Sequence, residues 1–242
     1  MTDKLKDFLS DYKDYLAGND LESFYEELVE LADKDNDNCI VGEFTKMLLN
    51  SDIDIFNFTK EIYSGEFYGI KLSKLEIHNG ITKICRDAFW GSQINNIIVP
   101  ETVTEIEEYG FYYCVALTDI QLPNTLTKLN QGMFYDCRSL TSIDVPEGIT
   151  EIGGQVFRGC KSLERIKLPK SLVKIGDMAF TDCQSLTNLE IPPDVTEIGW
   201  HALWSGIDSL EKITLPQKFK SEINKIFDTD YYDINSLDIT YI

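Results

Sequence analysis

Residues 134–153, FYDCRSLTSIDVPEGITEIG, decide the fold, because their pattern returns 23 residues later. The second copy, FRGCKSLERIKLPKSLVKIG, spans residues 157–176. The copies share a phenylalanine, a cysteine, a leucine, a proline and a terminal isoleucine–glycine pair at matching places. Cys137 therefore belongs to a structural pattern and not to an isolated reactive site. A fixed internal period of this length is typical of proteins built from stacked units.

Six columns of residues keep the 23-residue step along the chain. Hydrophobic residues fill most of them, and a proline or cysteine fills the others. The columns contain Pro100, Pro123, Pro146, Pro169 and Pro192; Cys114, Cys137, Cys160 and Cys183; Phe111, Phe134, Phe157 and Phe180; Ile106, Leu129, Ile152, Ile175 and Ile198; Leu117, Leu140, Leu163 and Leu186; and Ile120, Ile143, Ile166 and Leu189.

The repeat becomes less regular at both ends, as expected for terminal units that must face water. His78 stands where the next upstream proline would fall, and the unit after it is one residue short. Ile62 and Phe67 mark a partial unit before that. Downstream, the pattern fits after a one-residue insertion near Ile207, with Gly206 in place of the cysteine.

Each unit is expected to contain two extended pieces and one compact turn. In the unit of residues 140–160, a strand ends at Pro146, which offers no N–H to a neighbouring strand. A second extended piece follows near Ile152, and a tight helical turn around Phe157 closes the unit. One unit cannot bury its apolar side alone, so the units must stack. The pattern predicts an α/β-type solenoid over residues 62–242.

The consensus L-x-x-I-x-[LV]-P-x-x-[LI]-x-x-I-G-x-x-x-F-x-x-C resembles the BspA-type leucine-rich repeats. The resemblance covers about residues 62–242 and is most specific over 106–198. It implies a curved solenoid that binds other macromolecules, most often proteins. It brings no catalytic motif, and the chain contains no Gly-rich phosphate loop, HExxH or G-x-S-x-G. We therefore expect a non-enzymatic protein.

The four repeat cysteines are expected to pack inside the solenoid. Equivalent side chains of stacked units point in parallel, which opposes disulfides, and a linear row cannot converge on zinc as a tetrahedron. A free cysteine behaves as a small buried hydrophobe. We expect no metal and no cofactor.

Residues 1–61 lack the repeat and contain 16 acidic residues and six lysines. Their apolar spacing and the Asn19–Glu22 pair predict a small helical region. Two hypotheses remain for it, a cap on the first repeat or a separate partner-binding module. Asp33, Asp35 and Asp37 match the first ligands of an EF-hand loop, but the twelfth position is Phe44 and not the bidentate glutamate. The acidic stretch is therefore expected to be a solvated turn.

The net charge of −19 disfavours direct contact with nucleic acid or anionic membranes. It suits another protein as partner, including one with a basic surface. The N-terminus has no apolar signal segment, so we expect a cytoplasmic protein. The alternative is a surface or secreted protein from which a signal was removed.

Aromatic residues at positions that the repeat leaves free are the candidate partner-binding site. Tyrosine, tryptophan and arginine dominate protein-interface hot spots. An alternative is that these rings pack beneath the N-terminal region. The candidates are Trp90, Tyr109, Tyr112, Tyr113, Tyr135, Arg158 and Trp204.

Two functions fit these features. The first is a non-enzymatic protein-binding leucine-rich repeat module, acting as an adaptor or receptor-like surface. The alternative is a phage-type anti-defence inhibitor, such as an anti-CRISPR protein. Its acidic surface would block a basic nucleic-acid-binding groove of a host protein.

Overall fold

The computed structural model describes residues 60–227 and 234–242. The chain winds into a parallel β-solenoid of about eight turns of roughly 23 residues, as the period predicts. The predictions for residues 1–61, namely the helical region, its boundary with the repeats and the acidic stretch at Asp33, lie essentially outside the described residues. No described helix has both the length and the apolar content that a bilayer span requires.

One side of the solenoid is built from the longer strands, which are all parallel. Their outward residues are mostly polar, with Ile98 as an exposed exception, because side chains alternate along a strand and only one face meets the core. They are β2 (Lys71–Glu76), β4 (Gln93–Ile98), β6 (Asp119–Gln121), β8 (Ser142–Asp144), β10 (Arg165–Lys167), β12 (Asn188–Glu190), β14 (Lys212–Leu215) and β15 (Asp238–Tyr241). These strands form the sheets β2–β4–β6, β8–β10 and β12–β14–β15.

A second side consists of two-residue strands, each ending in a buried isoleucine or leucine. These strands are β1 (Glu61–Ile62), β3 (Lys83–Ile84), β5 (Glu105–Ile106), β7 (Lys128–Leu129), β9 (Glu151–Ile152), β11 (Lys174–Ile175) and β13 (Glu197–Ile198). They pair in parallel as β1–β3–β5 and β7–β9–β11–β13. Between β5 and β7, the Asn130 side-chain amide donates to the Ile106 carbonyl at 2.6 Å.

The proline corner between the two sides is a hydrogen-bonded turn, with the bond formed at Pro100, Pro146, Pro169 and Pro192. In one unit, Ile149 N–H donates to the Pro146 carbonyl at 3.0 Å. Ile81 N–H makes the same bond with His78, at 3.1 Å. The structure therefore confirms that His78 takes the place of the missing proline. It also confirms the partial first unit, because Ile62 pairs with Ile84 in a parallel register.

The third side contains consecutive turns and not the predicted tight helical turn. Alternate residues donate N–H groups to the third residue before them, as Cys137 does to Phe134 at 3.1 Å. The residues between them donate to the next unit, as Phe134 does to Val156 at 3.0 Å. Two left-handed positions interrupt the backbone path in each unit, four residues apart in six units and five apart in the last. The first column contains Gly65, Asp87, Tyr109, Gly132, Gln155, Met178 and His201, and the second contains Gly69, Gly91, Tyr113, Asp136, Gly159, Asp182 and Gly206.

A row of phenylalanines forms the centre of the core on this third side. Phe67, Phe89, Phe111, Phe134, Phe157 and Phe180 are each at most 1% exposed. Their rings stack from unit to unit with centroid separations of 4.8 to 5.8 Å. Stacked aromatic pairs stabilise a core beyond the area they bury. This row, together with the isoleucine and leucine columns, joins all described units into one core.

The C-terminal end of the solenoid is covered by a short helical segment. A 3-10 helix (Gln217–Glu222) leads into helix α1 (Ile223–Ile226), and a second 3-10 helix (Ile234–Ser236) precedes β15. Leu203 N–H donates to the Ile226 carbonyl at 3.0 Å, and His201 N–H to that of Lys225 at 2.8 Å. The segment thus satisfies main-chain donors of the last turn that would otherwise form an open edge.

The expectation that Gly206 replaces the cysteine of the last unit is wrong. Ile207 is fully buried, and its carbonyl accepts from Leu210 N–H at 2.9 Å, as the Cys183 carbonyl accepts from Leu186 at 3.1 Å. Gly206 has a φ of 65° and occupies the left-handed position before it. The inserted residue therefore lies before Gly206, so Ile207 takes the cysteine site.

Candidate protein-interaction surface

The exposed residues of the third side follow directly after the buried phenylalanines. A phenylalanine that points into the core leaves the next side chain pointing outward. In this way the backbone places one outward side chain per unit in a continuous column. The column contains Tyr68, Trp90, Tyr112, Tyr135 and Arg158.

Neighbouring units bring these side chains into contact. Ring centroids lie 5.3 Å apart for Tyr68–Trp90, 5.9 Å for Trp90–Tyr112 and 5.2 Å for Tyr112–Tyr135. Tyr112 also contacts Tyr109 at 5.7 Å and Tyr113 at 5.8 Å. We call the six rings and the three arginines that cover them, Arg86, Arg138 and Arg158, the aromatic surface.

Each arginine of the aromatic surface lies over a tyrosine ring. The guanidinium carbons of Arg86, Arg138 and Arg158 are 5.1, 5.2 and 5.3 Å from the centroids of Tyr109, Tyr113 and Tyr135, respectively. Such cation–π contacts are attractive even at exposed sites. They hold both the ring and the guanidinium in defined orientations before any partner arrives.

Tyr109 is fixed by the unit that follows it. The Gln131 side-chain amide donates to the Tyr109 hydroxyl at 2.8 Å. The ring lies against Gly132, where the Cβ of any other residue would collide with it. The glycine at 132 therefore makes room for the ring.

Tyr109 and Tyr113 both occupy left-handed backbone positions, with φ of 59° and 60°. A bulky residue in this region is uncommon and costs about 1–2 kcal/mol relative to glycine. Glycine fills the same two columns in other units, for example at Gly132 and Gly159. The fold thus accepts glycine at both positions, and the tyrosines are not required for it.

The aromatic surface is partly open to solvent and electrically mixed. Trp90 is 44% exposed, and Tyr68 and Tyr113 are each 38% exposed. Arg86 forms an ion pair with Glu108 at 2.6 Å and Arg138 one with Asp136 at 3.4 Å. Burial, followed by the neighbouring Tyr135, raises the pKa of Tyr112, so its phenol stays neutral at physiological pH. This surface can supply apolar ring area and directed hydrogen-bond donors.

The structure brings together six of the seven predicted partner-binding residues. Trp204 is the exception, because its ring contacts His201 at 5.1 Å in the last turn. The inserted residue changes the register there. Gly159 N–H donates to Thr181, 22 residues later, whereas the equivalent Asp182 N–H donates to Ser205, 23 residues later. Thr181 itself is buried, so the column ends at Arg158.

Sequence reasoning missed Tyr68, Arg86 and Arg138. Tyr68 lies 22 residues before Trp90, and the early units keep this shorter step, as the pairing of Ile62 with Ile84 shows. A search with a 22-residue step would have found it. Arg86 and Arg138 lie outside the column, and only the structure places them over Tyr109 and Tyr113.

The thiol ladder, Cys114, Cys137, Cys160 and Cys183, is fully buried. Each thiol donates to the carbonyl of a phenylalanine in the preceding unit, at 3.1 to 3.2 Å. Burial raises the pKa of Cys137, Cys160 and Cys183 far above the ordinary value. These thiols stay protonated and cannot act as nucleophiles at neutral pH. Within the described residues, no group of three His, Cys, Asp or Glu side chains could hold a metal ion.

A parallel solenoid with one buried leucine, isoleucine and phenylalanine set per turn defines a leucine-rich repeat protein. The family model for the BspA type leucine rich repeat region matches with six copies, over residues 60–183 and 151–241. The chain belongs to this family. Such solenoids commonly serve as scaffolds for protein interactions and are generally non-catalytic.

Solved structures of bacterial leucine-rich repeat proteins share the fold. A leucine rich cell surface protein from Faecalibacterium prausnitzii is 30% identical with a TM-score of 0.59; the match covers 64% of this chain and 42% of that one. The T. pallidum leucine rich repeat protein is 24% identical with a TM-score of 0.54, covering 74% and 81% of the two chains. A search of curated proteins finds no significant match.

Proposed function

We propose that the chain is a non-enzymatic protein-binding module and that the aromatic surface carries the contact with its partner. The supporting observation is the contiguous contact chain from Tyr68 to Arg158, built at positions that the fold leaves free. Tyrosine, tryptophan and arginine are the residues that most often dominate protein interfaces.

The fixed orientation of the rings supports the same proposal. Arg86 and Arg138 lie over Tyr109 and Tyr113 at 5.1 and 5.2 Å, so both rings are ordered before a partner arrives. This order lowers the entropy that a partner must remove on binding.

Removal of single rings tests the proposal. We expect Tyr112→Ala and Tyr135→Ala each to weaken partner binding by roughly 1–2 kcal/mol, about tenfold, with little change in melting temperature. The full chain is immobilised, its partner is captured from a lysate of the source organism and identified, and the purified partner is then titrated against each variant.

Trp200→Ala is the matched control, because Trp200 is 60% exposed and lies outside the aromatic surface. It should leave binding and melting temperature unchanged. If the tyrosine variants bind normally but melt earlier, the rings serve packing and the proposal is wrong. The acidic residues 1–61 would then become the next candidate for the partner site.

A further inference from the structure

We infer that the partner binds the aromatic surface through an acidic segment, with a carboxylate beside apolar side chains. This inference rests on the proposed function and adds the chemistry of the partner. It depends on the charges at the C-terminal end of the surface, where Arg138, Arg158 and Lys161 lie on two consecutive units. These units adjoin there, since Ser162 N–H donates to the Arg138 carbonyl at 3.2 Å.

The cations at this end are largely available to a ligand. Asp136 interacts with Arg138 at 3.4 Å. Within residues 60–227 and 234–242, no carboxylate lies within ion-pair distance of Arg158 or Lys161. The Nη1 of Arg158 lies 3.8 Å from the Met178 sulfur, which is a weak acceptor. A partner carboxylate could therefore bind Arg158 without breaking an ion pair among the residues that the structure describes.

Stacking prepares Arg158 for a carboxylate. Its guanidinium lies over the Tyr135 ring at 5.3 Å, so one face is covered by the ring. A planar guanidinium presents its N–H donors at the edge, in a geometry that matches both oxygens of a carboxylate. Apolar side chains next to that carboxylate would meet Tyr112 and Tyr135 on the preceding units.

The local charge opposes the charge of the whole chain. A net charge of −19 alone favours a basic partner. Charges beyond about 8 Å are largely screened at physiological ionic strength, so residues at the contact decide which segment fits. At the other end of the surface, Glu108 already pairs with Arg86 at 2.6 Å. The site for an acidic group is therefore the end with Arg158.

A random dodecamer peptide library displayed against the immobilised full chain tests this inference. We expect the enriched peptides to contain Asp or Glu beside apolar residues. Their affinities are then measured by fluorescence anisotropy for the wild-type chain and for Tyr112→Ala, Arg158→Gln and Arg165→Gln. Arg165→Gln is the matched control. Arg165 lies on β10, outside the aromatic surface, and forms an ion pair with Asp144 of β8 at 2.7 Å. Circular dichroism confirms that each variant is folded.

The expected result is a roughly tenfold loss with Arg158→Gln and with Tyr112→Ala, and no loss with Arg165→Gln. Basic or uncharged peptides that respond to Tyr112→Ala but not to Arg158→Gln would overturn the acidic partner and leave the proposed surface standing. Peptides that ignore Tyr112→Ala, or a library that enriches none, would contradict both proposals.

Discussion

Each thiol of the ladder does more at the residue scale than fill space. Sequence reasoning correctly places the four cysteines inside the repeat, because a small apolar residue at a fixed period indicates packing. It does not show that each Sγ donates to a phenylalanine carbonyl in the preceding unit. That bond depends on the distance between two neighbouring units, which the sequence of one unit does not specify. Ser92, a hydroxyl donor, occupies the ladder site of the unit before Cys114, 3.3 Å from its sulfur.

The bond predicts an order of stability for substitutions at Cys137. Cys137→Ala removes packing and the donor, so it should lower the free energy of unfolding by about 1 kcal/mol. Cys137→Ser keeps a donor and should lose less. Urea unfolding of both variants measures the difference. A serine variant less stable than the alanine variant would contradict the predicted order. Partner binding should be unaffected in both.

The residues of the aromatic surface were predictable to the extent that the period holds. Trp90, Tyr112, Tyr135 and Arg158 occupy one column of the regular repeat, so counting residues finds them. Trp204 was misplaced because an inserted residue before Gly206 shifts the register. The glycines of the sequence do not reveal the left-handed backbone positions, because residues other than glycine, such as Tyr109 and Asp136, also occupy these columns.

At the scale of elements, glycine permits the close stacking of the short strands in the later units, whereas Glu107 holds the same position in an earlier unit. Gly153, Gly176 and Gly199 each follow a two-residue strand and donate N–H to the preceding unit at 2.7 to 2.8 Å. A Cβ on Gly176 would lie 2.5 Å from the Gly154 nitrogen, a main-chain atom that cannot move aside. The isoleucine–glycine pair of the repeat thus reflects the spacing between turns.

Gly176→Ala and Gly154→Ala form a matched test of this spacing. The first should lower the free energy of unfolding by about 1–3 kcal/mol, because it forces two turns apart. The second should be nearly neutral, since the nearest atom to its added Cβ is the Asp177 carbonyl oxygen at 3.4 Å. Chemical denaturation of both variants gives the comparison. Equal losses in the two variants would contradict the collision as the cause of the cost.

At the scale of the whole molecule, the fold was predictable because one unit explains all the others. The stacked core needs only the columns of apolar residues, and these are visible in the sequence. The C-terminal helical segment was not predicted, because it occurs once in the chain and only the last turn has main-chain donors for it to pair with. The anti-defence hypothesis stays a prediction, since it depends on the net charge of −19 and on a host groove.

The stacking of units also determines how far a destabilising substitution affects the rest of the molecule. In a solenoid each unit contacts only its neighbours, so a defect should act according to its position. Phe134 is fully buried and stacks on Phe111 at 5.6 Å and on Phe157 at 5.8 Å. Phe227 is equally buried but lies in the C-terminal segment, where it bridges to Leu203.

Truncation to alanine at these two sites should therefore lower amide protection over different parts of the chain. Phe134→Ala removes about 3–5 kcal/mol of packing and should reduce amide protection in the units on both sides, over residues 111–157. Phe227→Ala should reduce protection over residues 201–227 and leave residues 111–157 at the wild-type level. Hydrogen exchange followed by mass spectrometry resolves both regions in one experiment. A uniform loss of protection in both variants would show that the described units unfold only as a single body, and that the position of a defect in the stack does not matter.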